Sequence, residues 1–70
     1  MALKNKLKIA RVTQGDLSQQ ALAEKVLCSR QTINSIENSK FVPSVELSLK
    51  IAKALGVNVQ DIFYLEEDEE

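Results

Sequence analysis

Apolar residues recur at helical spacing in five separated runs. Leu3, Leu7 and Ala10 stand at i, i+4 and i+7 and predict a first helix that ends near Gln14, with Gly15 as its stop. Leu22, Ala23 and Val26 predict a second helix over about residues 18–26, and Ile33 and Ile36 a third over about residues 29–37. Pro43-Ser44 opens a fourth, whose inner stripe reads as Val45, Ser48, Leu49, Ala52 and Leu55 before Gly56. Asn58 caps a short fifth helix, with Asp61 placed for a capping box and Val57 and Ile62 for a hydrophobic staple. Strand alternation is almost absent; only Phe63-Tyr64-Leu65 suits a short terminal β-arm, laid against the first residues. The pattern is that of an all-α fold of five helices.

Helices two and three begin alike. Leu17 precedes Ser18 and Leu22 follows four residues after it; Cys28 precedes Ser29 and Ile33 follows four residues after it. A serine hydroxyl at the N-cap accepts a free backbone N–H, and the flanking apolar pair packs as a staple. Two such starts eleven residues apart leave room for only a tight turn between the helices, which makes a helix-turn-helix. With Ile33 and Ile36 turned inward, Arg30, Gln31, Asn34 and Ser35 face outward. Arginine bonds guanine O6 and N7 together, and glutamine or asparagine does the same with adenine N7 and N6. Water alone would also select a polar helix face, so the spacing by itself leaves both readings open.

The 70 residues make one small domain, and a core of that size commonly gains stability from oligomerisation, so a homodimer is expected. A net charge of −1 hides a segregation. Residues 1–65 hold nine Lys and Arg against five Asp and Glu, whereas residues 66–70 are all acidic. The chain therefore divides into a folded domain over 1–65 and an acidic tail over 66–70, read as a solvated end, or else as a guard against non-specific DNA or a contact for a partner. Lys4, Lys6, Lys8 and Arg11 cluster near the start, and Arg30 and Lys40 flank the second half of the motif. Local field, not total charge, guides a polyanion to a surface. No apolar run approaches the roughly 20 residues that span a bilayer, no signal region follows the N-terminal lysines, and the lone Cys28 suits a reducing cytoplasm as a small buried residue in the turn, with a redox-sensor role as the alternative. There is no His, no nucleophile–base pairing, no Gly-rich phosphate loop and no metal-ligand spacing. No enzymatic activity, cofactor, metal or small-molecule ligand is therefore expected.

Several blocks in order carry a resemblance: Leu7 with Arg11, Leu17-Ser18-Gln19-Gln20-Ala21-Leu22-Ala23, Ser29-Arg30-Gln31-Thr32-Ile33, Ile36-Glu37, Pro43-Ser44 and Leu49-Lys50-Ile51-Ala52-Lys53-Ala54-Leu55-Gly56-Val57. Over about residues 5–63 the chain resembles the Cro/lambda-repressor-like, or XRE-family, helix-turn-helix transcriptional regulators. Within that family it is similar to the small single-domain subgroup that includes the cytolysin repressor. The resemblance implies a five-helix lambda-repressor-like domain that binds double-stranded DNA sequence-specifically, as a repressor on a palindromic operator and as a homodimer. It implies base contacts from Arg30, Gln31, Asn34 and Ser35, and a phosphate clamp at Gln19, with Thr32, Ser39 and Lys40 bracketing the groove. Arg11 and Glu37 match a pair that joins helices one and three. The dimer surface is expected at Val57, Val59, Phe63, Tyr64 and Leu65, with exposed Leu47 and Ile9 as lesser candidates. An antitoxin that binds a partner protein and regulates its own operon is the alternative. Two positions depart from the family pattern. Leu27 stands where glycine is common, and the loop from Arg11 to Ser18 is one residue longer, around Gly15-Asp16.

Overall fold

The computed structural model describes residues 1–67. Along them run β1 (Ala2–Asn5), α1 (Leu7–Thr13), α2 (Gln19–Val26), α3 (Arg30–Glu37), α4 (Val45–Leu55), α5 (Val59–Ile62) and β2 (Phe63–Glu66). Three serines start three of the helices. Ser18 Oγ accepts the Ala21 N–H at 3.0 Å, Ser29 Oγ the Thr32 N–H at 3.1 Å and Ser44 Oγ the Leu47 N–H at 3.1 Å, each satisfying a donor the helix itself cannot. Asp61 reaches back to the Asn58 N–H at 3.2 Å and closes the start of α5. Leu17, Cys28 and Val57, each one position before a cap, pack against the core.

Every helix contributes to that core: Leu7 from α1, Leu22, Ala23 and Val26 from α2, Ile33 and Ile36 from α3, Ile51, Ala52 and Leu55 from α4, and Ile62 from α5. The fold is the five-helix lambda-repressor-like arrangement, completed by a small sheet. β1 and β2 pair antiparallel in the register Ala2↔Glu66, Leu3↔Leu65, Lys4↔Tyr64 and Asn5↔Phe63. The ladder thus takes in Glu66, the first residue of the acidic run; Asp68, Glu69 and Glu70 lie outside the described residues. Asn5 ties this sheet to two helices. Its Oδ1 accepts the Leu7 N–H at 3.1 Å, and its Nδ2 donates to the Ile36 carbonyl at 2.9 Å and to Ser39 Oγ at 3.4 Å.

Three expectations need correction. Leu3 does not extend α1 but sits in β1, because the helix starts at Leu7, whose N–H is accepted by the Asn5 side chain, and strand pairing takes the residues before it. In α4 the inner face lies along Leu47, Ile51, Ala52 and Leu55, whereas Val45 and Leu49 are 77% and 53% exposed. Leu47 is accordingly a core neighbour and not an exposed candidate. α1 ends at Thr13 with Gln14 as its C-cap, as expected, but the left-handed residue that follows is Asp16, at φ 49°, and not Gly15. Gly15 serves instead as a close approach, since a Cβ there would lie 2.6 Å from Leu55 Cδ2.

The turn of the helix-turn-helix is held by Leu27 at φ 61°, ψ 46°, a left-handed conformation that costs a side chain about 1–2 kcal/mol. Its side chain is 86% exposed, so burial returns almost nothing. Leu27→Gly removes the strain and adds back the larger entropy of an unfolded glycine, about 0.4–1 kcal/mol. A net gain of about 0.5–1 kcal/mol is expected, read as a melting temperature raised by roughly 2–8 °C; a lower melting temperature would contradict it. Cys28, half-buried in the same turn, donates its thiol to the Ser29 carbonyl at 3.6 Å. Burial pushes its pKa up.

Candidate nucleic-acid interface

At 3.6 residues per turn, positions 30, 31, 34 and 35 share one side of a helix and positions 33 and 36 the other. α3 follows that geometry. Ile33 and Ile36 are 0% and 1% exposed, while Arg30, Gln31 and Asn34 are open to solvent and Ser35 is half-buried. Arg30 and Gln31, in the first turn after the Ser29 cap, make no side-chain hydrogen bond among the described residues. Thr32 is different: its hydroxyl lies 2.9 Å from Ser29 Oγ and reinforces the cap.

Behind this face α3 is braced by a polar network. Arg11 Nε donates to Glu37 Oε2 at 2.7 Å and Nη2 to Oε1 at 3.3 Å, while Nη1 donates to the Leu17 carbonyl at 2.8 Å. The pair is withdrawn from water, with side chains 10% and 4% exposed, and it joins α1 to α3 and to the start of α2. Gln19 Nε2 adds donations to Glu37 Oε1 at 3.1 Å and to Asn34 Oδ1 at 3.2 Å. Asn38 Nδ2 donates to the Asn34 carbonyl at 2.9 Å and to Asn34 Oδ1 at 3.3 Å. No buried side-chain nitrogen or oxygen among the described residues lacks a partner. Such completeness is the condition under which a polar network fixes one geometry.

The sequence pattern of the helix-turn-helix family matches residues 7–62. An uncharacterized HTH-type transcriptional regulator of Methanocaldococcus jannaschii is 51% identical over 67 residues, covering 96% of this chain and all of that one. The Bacillus subtilis HTH-type transcriptional regulator YgzD is 46% identical over 66 residues, covering 94% of this chain and 98% of its own. The chain belongs to the XRE-like helix-turn-helix regulators. The family is one of regulators and not of enzymes. A crystal structure from Bacteroides fragilis, described as a candidate DNA-binding protein, shares the fold at a TM-score of 0.80 with 24% identity, over 90% of this chain and all of that one.

In the regulator, the residues suggested for phosphate contact fall in different surroundings. Gln19 is half-buried at the start of α2 with both amide hydrogens already donated. Lys40 is exposed beyond the C-terminal end of α3, its backbone N–H held by the Ser35 carbonyl at 2.8 Å. Ser39 stands at φ 58° with its hydroxyl toward Asn5. Asn38 and its part in the network were not anticipated; the signal was available, since Asn38 lies one helical turn after Asn34. Of the five residues suggested for the dimer surface, Val59 and Phe63 line an open apolar groove of about 260 Å³ together with Leu3, Pro43, Val45, Ser48 and Leu49. Leu65 is exposed beside Leu3 on the ladder. Val57 is half-buried against the core, and Tyr64 lies under Lys6, with Nζ 5.4 Å from the ring centroid. No group of three or more His, Cys, Asp or Glu among the described residues is placed to hold a metal ion, and no helix there is long and apolar enough to cross a membrane.

Proposed function

We propose that this chain is a sequence-specific regulator of transcription that binds double-stranded DNA, a cytoplasmic repressor that occupies a palindromic operator as a homodimer with α3 in the major groove. The observation that carries the reading is the open face of α3. Arg30 and Gln31 project from its first turn unengaged, while Ile33 and Ile36 seat the helix from behind. A helix of about 10–12 Å diameter fits the major groove, and in this motif the N-terminal part of the second helix reaches the base edges. Arg30 suits guanine, Gln31 suits adenine, and Ser35 contributes one hydroxyl. Residues 1–65 carry the positive balance that a polyanion meets, and the acidic run 66–70 opposes adventitious binding.

Phosphates then lie at both ends of the motif. The first N–H groups of α2 have no partner within the helix and favour an anion. Since the Gln19 amide is engaged inside the molecule, its phosphate contact runs through the backbone N–H. Thr32, Ser39 and Lys40 bracket the other side. Lys40→Ala is expected to weaken binding to all sequences alike and to flatten the dependence of log K on log salt by about 1. Fluorescence titration across a salt series checks this, and a loss confined to one sequence would refute the phosphate role.

The second subunit docks on the apolar groove between β1, α4, α5 and β2. Val59 and Phe63, with the exposed Val45 and Leu49, line it; Leu65 stands beside Leu3 on the adjoining ladder, and Val57 and Tyr64 lie outside it. A two-fold axis through this face makes a self-complementary contact and sets two α3 helices on half-sites about 34 Å apart. Selection of bound fragments from random DNA, run beside analytical ultracentrifugation, tests the whole reading. An inverted repeat bound by a dimer is expected. Indifference to sequence would end it.

A further inference from the structure

Hydrogen-bond polarity around Asn34 is fixed by two groups that can only accept, the Glu37 carboxylate and the Asn34 main-chain carbonyl. Glu37 Oε1 faces the Gln19 amide at 3.1 Å, so Gln19 must turn its NH₂ toward it. The same nitrogen lies 3.2 Å from the Asn34 side chain, and the atom it meets must therefore be an acceptor, Oδ1. Asn38 arrives at the same result independently. Its NH₂ is held 2.9 Å from the Asn34 carbonyl and 3.3 Å from the Asn34 side chain, again at Oδ1. Both acceptor sites of the Asn34 amide are thus filled from within the molecule. A flipped Asn34 would set its own N–H groups against two donors.

We infer that Asn34 reads DNA as a donor only, through its two amide hydrogens, and that Gln19 and Asn38 act as positioning residues that hold it so. This rests on α3 being the reading helix. It changes the base Asn34 selects. An asparagine free to turn pairs with adenine by donating to N7 and accepting from N6, whereas a donor-only amide leaves the adenine N6–H₂ unmatched and also rejects the cytosine N4–H₂. Guanine, which offers N7 and O6 as acceptors side by side, takes both hydrogens; thymine offers O4 alone. The position facing Asn34 is therefore guanine, or thymine as the weaker choice, with adenine disfavoured about tenfold.

The experiment is selection from random DNA with the full chain as wild type, Asn34→Ala and the double variant Gln19→Ala/Asn38→Ala. Circular dichroism checks that each is folded, as expected when no core residue is changed. The site facing Asn34 is the one whose preference Asn34→Ala flattens. Guanine or thymine there in the wild type, with adenine accepted once Gln19 and Asn38 are removed and the Asn34 carbonyl is released, bears the inference out. Adenine or cytosine there in the wild type overturns it, and so does a guanine preference that survives in the double variant or a wild-type preference that Asn34→Ala nowhere moves. In each of these cases sequence-selective binding persists, so the reading helix stands and only the assigned polarity falls. A wild type without any sequence preference removes both.

Discussion

Glu37→Ala is expected to destabilise the domain by about 3–5 kcal/mol, because it strands the Arg11 guanidinium in an environment built for a pair. The two side chains are 10% and 4% exposed, so solvent screening does little to soften the loss. Arg11 would keep one protein partner, the Leu17 carbonyl at 2.8 Å, and Gln19 would lose the carboxylate at 3.1 Å that orients it. A core from a chain this short rarely supplies more than about 3–5 kcal/mol, so much of the population would be unfolded at room temperature. Urea unfolding and thermal melting measure the effect. The base preference of whatever remains folded should alter far less than the melting temperature does. An unchanged melting temperature would show that the pair is not what joins α1 to α3.

Arg30→Ala is expected to act in the opposite way, leaving the melting temperature alone and weakening specific DNA binding by about 1–3 kcal/mol, or roughly 5–150-fold. The side chain is exposed and bonds nothing among the described residues, so its loss opens no cavity and strands no partner. Discrimination should relax at a single base position, where a bidentate guanine contact disappears. Binding to random DNA should change only slightly, through one missing positive charge. Equal losses on specific and random DNA would place Arg30 among the phosphate contacts with Lys40, and α3 would then be seated differently in the groove.

What could be read from the sequence was what is decided locally. Ser18, Ser29 and Ser44 announce helix starts because a cap bond spans only three residues. Ile33 and Ile36 show the inner side of α3 because the residues around them are polar. α4 was harder. Val45, Leu47, Leu49 and Ile51 alternate with polar residues, so two faces of the helix are apolar and the pattern does not say which one meets the core. The structure seats Leu47 and Ile51 inward and leaves Val45 and Leu49 outside. Leu3 keeps helical spacing with Leu7, yet strand pairing with Leu65, remote in sequence, decides its conformation. In the candidate site, Arg30 and Gln31 were legible because nothing in the chain competes for them. The commitment of the Gln19 and Asn34 amides was not, since it depends on how α2 and α3 lie across each other and on a carboxylate whose own position is set by Arg11.

Asn5 stands where the first strand, the first helix and the third helix meet, bonded to Leu7, Ile36 and Ser39. A single small amide thereby couples the end of α3 to the sheet that borders the apolar groove. A displacement of β1 would therefore be felt at the C-terminal end of α3. In the proposed dimer, the spacing of the half-sites in the DNA would then have to match the span between the two α3 helices.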